Sequence, residues 1–424
     1  MPLSPPAAVV TASAWRATQG MDGSALLQLR CSPMREPMRI AFFSEAVPPI
    51  LDGVCRTLSN LSISLDEERI QYKIFSGVAP SPELPWRDSV HKVPSVPFPL
   101  YQYYRIAIPV APNLDAALDR FKPDLLHAAN PSGLGLYALS YGKRRNIPVV
   151  SSYHTNYVSY LPYYGMGGLQ GLGWWLLRRF HSRCRATYVP SRSTMRQLQA
   201  QRVPRVDLWQ RGVHRDQFNP RFRSLELRKS IGAESVPVLL YVGRLVKEKD
   251  LHDLVSAVET LTRRGVRFKM VLVGDGPLRS ELRARLPEAH FTGYQTGQDL
   301  ARWYASADLF VFPSTTETFG NVILEGFASG LPVIGVDAGG SSDLILPGEN
   351  GLLAKPKDPV DLADKIQRLV SDPVEYAGMR HGALRTVRNF DWGVINRRLI
   401  SSYERVITEH RSPVEVGAME LVAG

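Results

Sequence analysis

Leu309-Phe-Val-Phe-Pro-Ser-Thr-Thr-Glu-Thr-Phe-Gly-Asn-Val-Ile-Leu-Glu-Gly326 runs from an unbroken apolar stretch, through a polar loop, into a second apolar stretch that opens at Gly320-Asn321. The first stretch reads as a strand buried on both faces and the second as a helix, so the polar residues form the loop at the strand's carboxyl end. Working outward, the same unit recurs. Pro237-Val-Leu-Leu-Tyr-Val242 predicts a strand, followed by a helix near Leu251–Arg264, the strand Lys269–Val273, a turn at Gly274-Asp-Gly-Pro277 and a helix at Leu278–Leu286. Nearer the start, Met38-Arg-Ile-Ala-Phe-Phe-Ser44 reads as a strand, then a loop holding Pro48, Pro49, Asp52 and Gly53, then a helix from Val54 through Leu65. Strands at Tyr72–Phe75, Asp124–Ala128 and Pro148–Tyr153 alternate with helices around Asn113–Phe121 and Gly135–Arg145.

Alternating strands and helices imply parallel sheets covered on both faces. At 424 residues the chain exceeds what one hydrophobic core organises, so two such domains are expected. The pattern lapses near Arg211–Ser224, which places the division there. The expected organisation is an N-terminal extension over 1–37, a Rossmann-like domain over 38–217, a second over 218–390, and a C-terminal helix and tail over 391–424, the helix around Ile395–His410 packing back on the first domain. In open α/β sheets ligands bind beyond the carboxyl ends of the strands, so two doubly wound domains facing each other enclose a ligand cleft.

Residues 1–37 are rich in Ala, Ser and Pro without apolar periodicity, which predicts disorder; an organelle transit peptide and a start site placed too early both fit, and Met38 opening directly on a strand favours the second. Residues 146–177 hold no Asp, Glu, Lys or Arg, but Pro148, His154, Asn156 and Pro162 break the run, which excludes a spanning helix. Three cysteines, Cys31, Cys55 and Cys184, form no metal-type or disulfide pattern and fit a reducing, cytoplasmic compartment. The net charge of +11 is lopsided: residues 1–217 carry 25 Lys and Arg against 14 Asp and Glu, and residues 218–424 carry 26 against 26. From Arg178 to Arg215 ten arginines face one acid, Asp207, which predicts a surface that meets an anion rather than scattered solvated side chains.

The chemistry concentrates on the strand-end loops. Where the helix opens at Gly320, the backbone N–H groups of Asn321, Val322 and Ile323 are placed to hold a phosphate, and glycine lets a ligand approach closely. Glu317 and Glu325, one on the loop and one in the helix, suit hydroxyl recognition better than the acid and base of glycoside hydrolysis. Arg244 and Lys249 follow the strand Pro237–Val242 and are placed to neutralise a diphosphate. No Asp-x-Asp occurs and histidines are sparse, so metal-independent chemistry is expected, with no cofactor. His154 follows a core strand and enters a Gly- and Tyr-rich loop at the cleft. Dinucleotide and P-loop fingerprints are missing after the first strands, which weakens dehydrogenase and ATPase readings.

These segments resemble the family 4 retaining glycosyltransferases of the GT-B fold over roughly residues 38–410. The most specific element is Glu317-(seven residues)-Glu325. Gly243-Arg244 with Lys249, Val273-Gly-Asp-Gly-Pro277, Ala328-Ser-Gly-Leu-Pro332, Ala338-Gly-Gly340 and Asn350-Gly-Leu-Leu353 accompany it. The resemblance implies that Glu325 holds the nucleotide ribose and Glu317 contacts the transferred sugar. It places Arg244 and Lys249 on the departing diphosphate, Phe319, Gly320, Asn321, Val322 and Ile323 in the phosphate-side loop, Gly53 against the diphosphate from the other domain, and His154 near the transferred sugar and incoming hydroxyl.

The first loop departs from the family's commoner Gly-Gly, reading Asp52-Gly53, and His214 stands where an acid or Asn is common. Ser152-Tyr-His-Thr155, Leu208-Trp-Gln-Arg-Gly-Val213 and Phe218-Asn-Pro-Arg-Phe-Arg-Ser224 are similar to the branch of GDP-mannose-dependent mannosyltransferases and sulfoquinovosyl-diacylglycerol synthases. That branch implies a nucleotide-diphosphate sugar donor, a lipid or glycan acceptor, attachment to an anionic membrane surface and no nucleic acid partner. Rival readings are a non-catalytic membrane-bound protein of the same fold and a sugar-nucleotide epimerase.

Overall fold

The computed structural model describes residues 37–50, 53–98, 101–109 and 111–412. The expected disorder and targeting character of the N-terminal extension fall outside these residues, apart from Pro37, as do Asp52, Cys31 and the tail beyond Ser412.

The first half is built on β1 (Arg39–Phe43), β2 (Gln71–Ser76), β3 (Val90–Lys92), a separate hairpin of β4 (Ser95–Phe98) and β5 (Tyr101–Ala107), then β6 (Leu125–Ala128), β7 (Val149–Ser152), β8 (Thr187–Val189) and β9 (Val206–Leu208). Seven of these form one sheet in the order β3-β2-β1-β6-β7-β8-β9, every pair parallel. The hairpin is antiparallel. In the second half β10 (Val238–Val242), β11 (Lys269–Val273), β12 (His290–Gly293), β13 (Leu309–Phe312), β14 (Val333–Val336) and β15 (Gly351–Ala354) form a parallel sheet ordered β12-β11-β10-β13-β14-β15. Both are doubly wound: the order reverses beside the first strand, at β1/β6 and at β10/β13.

The central strands are largely apolar because helices cover both faces, and the polar exceptions His127, Ser151 and Ser152 are buried with hydrogen-bond partners. Every residue of β6, β7, β10, β13 and β14 is buried. A large core surrounds the second sheet, and two smaller clusters pack around the first. The helix Trp392–Arg411 is capped by the Asp391 side chain, which accepts from the Val394 amide at 3.0 Å. It lies on the first half. Asn396 donates to Asn60 O at 3.1 Å, within the helix Gly53–Glu67, and accepts from Trp209 Nε1 at 3.2 Å, while Tyr403 Oη sits 2.6 Å from His127 Nδ1.

Among the described residues no helix is long and apolar enough to cross a membrane. The uncharged stretch 146–177 is divided instead into β7, short helical turns over Tyr157–Leu169, and the start of the helix Gln170–His181. Its outer side carries the exposed apolar residues Tyr157, Met166, Leu169, Leu172, Trp175 and Leu176.

Candidate active site

The loops that carry the predicted residues leave the carboxyl ends of strands next to the two points of reversal. In the second half, the turn after β11 and the loop after β10 interlock: a Cβ at Gly274, where φ is +138°, would run into the carbonyl of Gly243. This contact fixes the loop that carries Arg244 and ends in the 3-10 turn Lys247–Lys249. Lys249 Nζ lies 2.5 Å from Glu317 Oε2 and 5.7 Å above the Phe312 ring. Arg244 Nη2 lies 3.5 Å from Glu248 Oε1, and its side chain keeps 58% of its exposure, so it reaches into the open part of the cleft.

The loop Pro313–Gly320 is pressed onto a second loop after β14. Gly339, at φ +54°, and Gly340 pack directly against its backbone, and Gly340 N donates to Glu317 O at 2.7 Å. Side chains there would push the loop outward, which is the physical content of Ala338-Gly-Gly340. Asp250, buried, accepts from the Thr315 amide at 2.8 Å and the Thr315 hydroxyl at 2.7 Å, and is paired with Lys357.

The helix Asn321–Ala328 begins where expected, with Gly320 at φ +98°. One expectation changes. The Ile323 amide donates to Gly320 O at 2.9 Å, so this N–H is used inside the first turn and the amides of Asn321 and Val322 mark the helix opening. Phe319 and Ile323 bury their side chains, Phe319 beside Phe390, and contribute backbone alone to the loop. Glu325 is 3% exposed; Tyr304 donates to its Oε2 at 2.9 Å, and Arg56 from the first half pairs with its Oε1. This carboxylate raises the pKa of Arg56, while burial and then Glu325 hold the Tyr304 hydroxyl well above the usual phenol range.

From the first half, Gly53 faces the same helix opening: a Cβ there would meet Asn321 Nδ2 at 3.7 Å. His154, one residue past Tyr153, is half-buried, and its ring stands 5.6 Å from that of Trp209. Its carbonyl accepts from the Thr318 hydroxyl at 2.9 Å, tying it to the Glu317 loop. Tyr163 donates to Asp250 at 2.9 Å and Tyr164 to Glu248 at 3.0 Å, so the turns after His154 reach across to the loop that bears Arg244 and Lys249.

The structure therefore brings Gly53, His154, Arg244, Lys249, Glu317, the start of the Asn321 helix and Glu325 to one cleft. It adds Arg56, Tyr163 and Tyr164, which the sequence reading missed. A cation one turn beyond Gly53 was the available signal for Arg56, and the Tyr-rich loop after His154 was the signal for the tyrosines, without indicating which acids they reach. It also removes one arginine from the predicted anion-facing surface, since Arg211 is only 5% exposed. Among the described residues no three His, Cys, Asp or Glu side chains gather into a metal-binding group.

Two parallel doubly wound sheets whose strand-end loops meet in this way make up a GT-B fold. The fold matches that of Anabaena HepE in complex with UDP, with a TM-score of 0.71 over 87% of this chain and 100% of that one at 19% identity. It also matches sucrose-phosphate synthase from Thermosynechococcus elongatus, with a TM-score of 0.71 over 88% and 99% at 21% identity. Residues 51–217 fit the model of Glycosyltransferase Family 4 and residues 236–372 that of Glycosyl transferases group 1. The chain is 35% identical to the GDP-mannose-dependent alpha-mannosyltransferase of Mycobacterium tuberculosis, over 87% of this chain and 97% of that one. It is 33% identical to the sulfoquinovosyl transferase of Arabidopsis thaliana, over 85% and 72% respectively. The chain belongs to the family 4 glycosyltransferases and is a transferase enzyme.

Proposed function

We propose that this enzyme moves a hexose with retention of configuration, and without a metal ion, from a nucleotide-diphosphate sugar to a membrane lipid or glycolipid. GDP-mannose is the favoured donor. The observation that carries the reading is the convergence of Lys249, Glu317, Glu325 and the Asn321 helix start from one sheet with Gly53 and His154 from the other. In this assignment Glu325 takes the ribose hydroxyls and Glu317 the sugar. Arg244, Lys249 and the amides of Asn321 and Val322 receive the charge that develops as the sugar–phosphate bond breaks. Gly53 leaves room for the diphosphate. The acceptor oxygen bonds to the sugar on the face the phosphate leaves, and its proton passes to a phosphate oxygen.

Near full-length similarity to a GDP-mannose-dependent enzyme supports the donor. Similarity to a sulfoquinovosyl transferase favours a second reading, a UDP-sulfoquinovose- or UDP-glucose-dependent diacylglycerol transferase. A membrane-facing acceptor is supported by the exposed apolar residues Leu169, Leu172, Trp175 and Leu176, with the Arg179 guanidinium 5.8 Å above the Trp175 ring and no acid from Gln170 to Arg205.

A thermal-shift screen with GDP, UDP, ADP and their sugar conjugates, with and without EDTA, tests the donor site, because a ligand that binds the native state raises its stability. Stabilisation by GDP and GDP-mannose that survives EDTA is the expected result. Stabilisation by UDP conjugates alone would transfer the assignment to the second reading, and no response to any nucleotide would overturn both.

A further inference from the structure

Arg211 is a buried cation with no counter-carboxylate among the described residues. Its Nη1 donates to the carbonyls of Trp209 at 2.5 Å and Gln210 at 3.1 Å, its guanidinium lies 4.8 Å from the centre of the Trp209 ring, and its Nη2 is 2.7 Å from His154 Nδ1. Burial alone pulls it down, to about 9, so it remains charged at neutral pH. Burying an unpaired charge is costly. Here the carbonyls, the aromatic face and the imidazole hold it in one orientation.

A guanidinium has donors only. The nitrogen it addresses must therefore present a lone pair, and the single proton of a neutral imidazole must sit on the other nitrogen. A catalytic histidine that works as a base usually has the opposite arrangement, in which an acceptor takes the Nδ1 proton and leaves Nε2 bare. We propose that Arg211 is a positioning residue that fixes His154 as a neutral imidazole protonated on Nε2, a hydrogen-bond donor to a substrate oxygen and not an acid or base. This rests on the glycosyltransferase site described above.

Three further observations support it. The titratable groups acting on the ring are Arg211 and His127; burial first, then Arg211 and His127, push His154 well below the ordinary histidine range, and His127 is itself pulled down to about 3 by burial. His154 Nε2 is shut off from solvent without a partner among the described residues, and so is Asn130 Oδ1. Both residues line one small cavity of about 20 Å³, shared with Val54, Ser152, Thr155 and Tyr157. A cavity of that size admits one water-sized group. A hydroxyl fits it chemically, accepting from the imidazole and donating to the amide oxygen. With Nε2 occupied by its proton, His154 cannot take the acceptor's proton, which must leave by the phosphate.

The test is side-chain NMR of histidine-15N-labelled full-length protein, with the His154 resonance assigned by its loss in His154→Gln. The expected result is an Nε2–H tautomer that does not titrate from pH 8 to 5.5. An Nδ1–H tautomer, or protonation in that range, overturns the proposal whether or not any transfer is detected, so its failure is distinct from failure of the functional reading. A second arm uses Arg211→Met and Arg211→Lys. In Arg211→Met the donor that faces Nδ1 is gone while burial remains, so the His154 15N spectrum shows a mixture of Nδ1–H and Nε2–H forms in place of the single Nε2–H form, and kcat falls with the lost donor population. Arg211→Lys, which keeps charge and donor, restores the Nε2–H tautomer and most of kcat. A structural role alone would lower activity while leaving the His154 tautomer unchanged in both variants, and that result would refute the positioning role.

Discussion

Lys249→Ala separates what the cleft's ion pair does for folding from what it does for chemistry. The pair keeps 11% exposure on Lys249 and 21% on Glu317, with 2.5 Å between Nζ and Oε2. Solvent therefore screens it in part. Its loss falls between the exposed-pair limit of about 1 kcal/mol and the 3–5 kcal/mol or so of a fully buried pair broken on one side, and we expect about 1–2 kcal/mol of stability. In the proposed transfer the same ammonium faces the charge that builds on the diphosphate in a partly desolvated cleft. Removing one such contact costs about 3–4 kcal/mol of barrier, a fall of about 10²–10³-fold in kcat. Both quantities are read on one preparation, kcat from initial rates at saturating donor and stability from urea unfolding. Lys249→Met, which retains an apolar stem but not the ammonium 5.7 Å from the Phe312 ring centre, should recover part of the stability and none of the rate. A kcat within about threefold of the parent, less than about 1 kcal/mol of barrier, would refute the placement of Lys249 on the leaving group.

Gly339→Ala sets a Cβ against the Glu317 carbonyl at φ +54°, so it should destabilise by at least about 1 kcal/mol and shrink the donor-induced thermal shift more than a surface Gly→Ala at Gly378, which has open space around it. The pH dependence of folding is set partly by histidines held neutral: burial draws His127 down to about 3 and His181 to about 4, and His154 lies well below its ordinary value. The unfolded chain takes up these protons near pH 6.5, whereas the native chain refuses them until the lower values are reached. The stabilisation is thus fully present above about pH 6.5 and declines as pH falls from there toward 4, by up to about 1.4 kcal/mol per pH unit for each. Urea midpoints that do not change between pH 7 and 5 would contradict this.

The fold was legible where strands were long and apolar enough to declare themselves, as at Arg39–Phe43, Val238–Val242 and Leu309–Phe312. The three-residue strands Val90–Lys92, Thr187–Val189 and Val206–Leu208 were not, because three residues carry no periodicity, and the hairpin Ser95–Ala107 departs from the alternating pattern altogether. The cleft divides in the same way. Glu317, Asn321 and Glu325 belong to one contiguous segment whose loop and helix start announce a ligand site. Arg56 reaches Glu325 across 269 positions of sequence, and Tyr163 reaches Asp250 across 87. Which acid each of these side chains reaches is set by how the two sheets meet, and no local signal encodes that pairing. Arg211 was hidden by its company, since nine other arginines in Arg178–Arg215 make it look like one more surface charge.

The contacts that span the cleft have a kinetic consequence. Arg56 holds Glu325, Tyr163 and Tyr164 hold Asp250 and Glu248, Thr318 holds the His154 carbonyl, and the Ser193 amide donates to Asp343 at 2.6 Å. Any nucleotide sugar that threads between these loops has to part some of them first. On the proposed donor site capture is then expected to be gated: at high donor concentration its speed should level off at the frequency with which the halves separate, and stopped-flow binding rates that keep rising linearly with donor would contradict this.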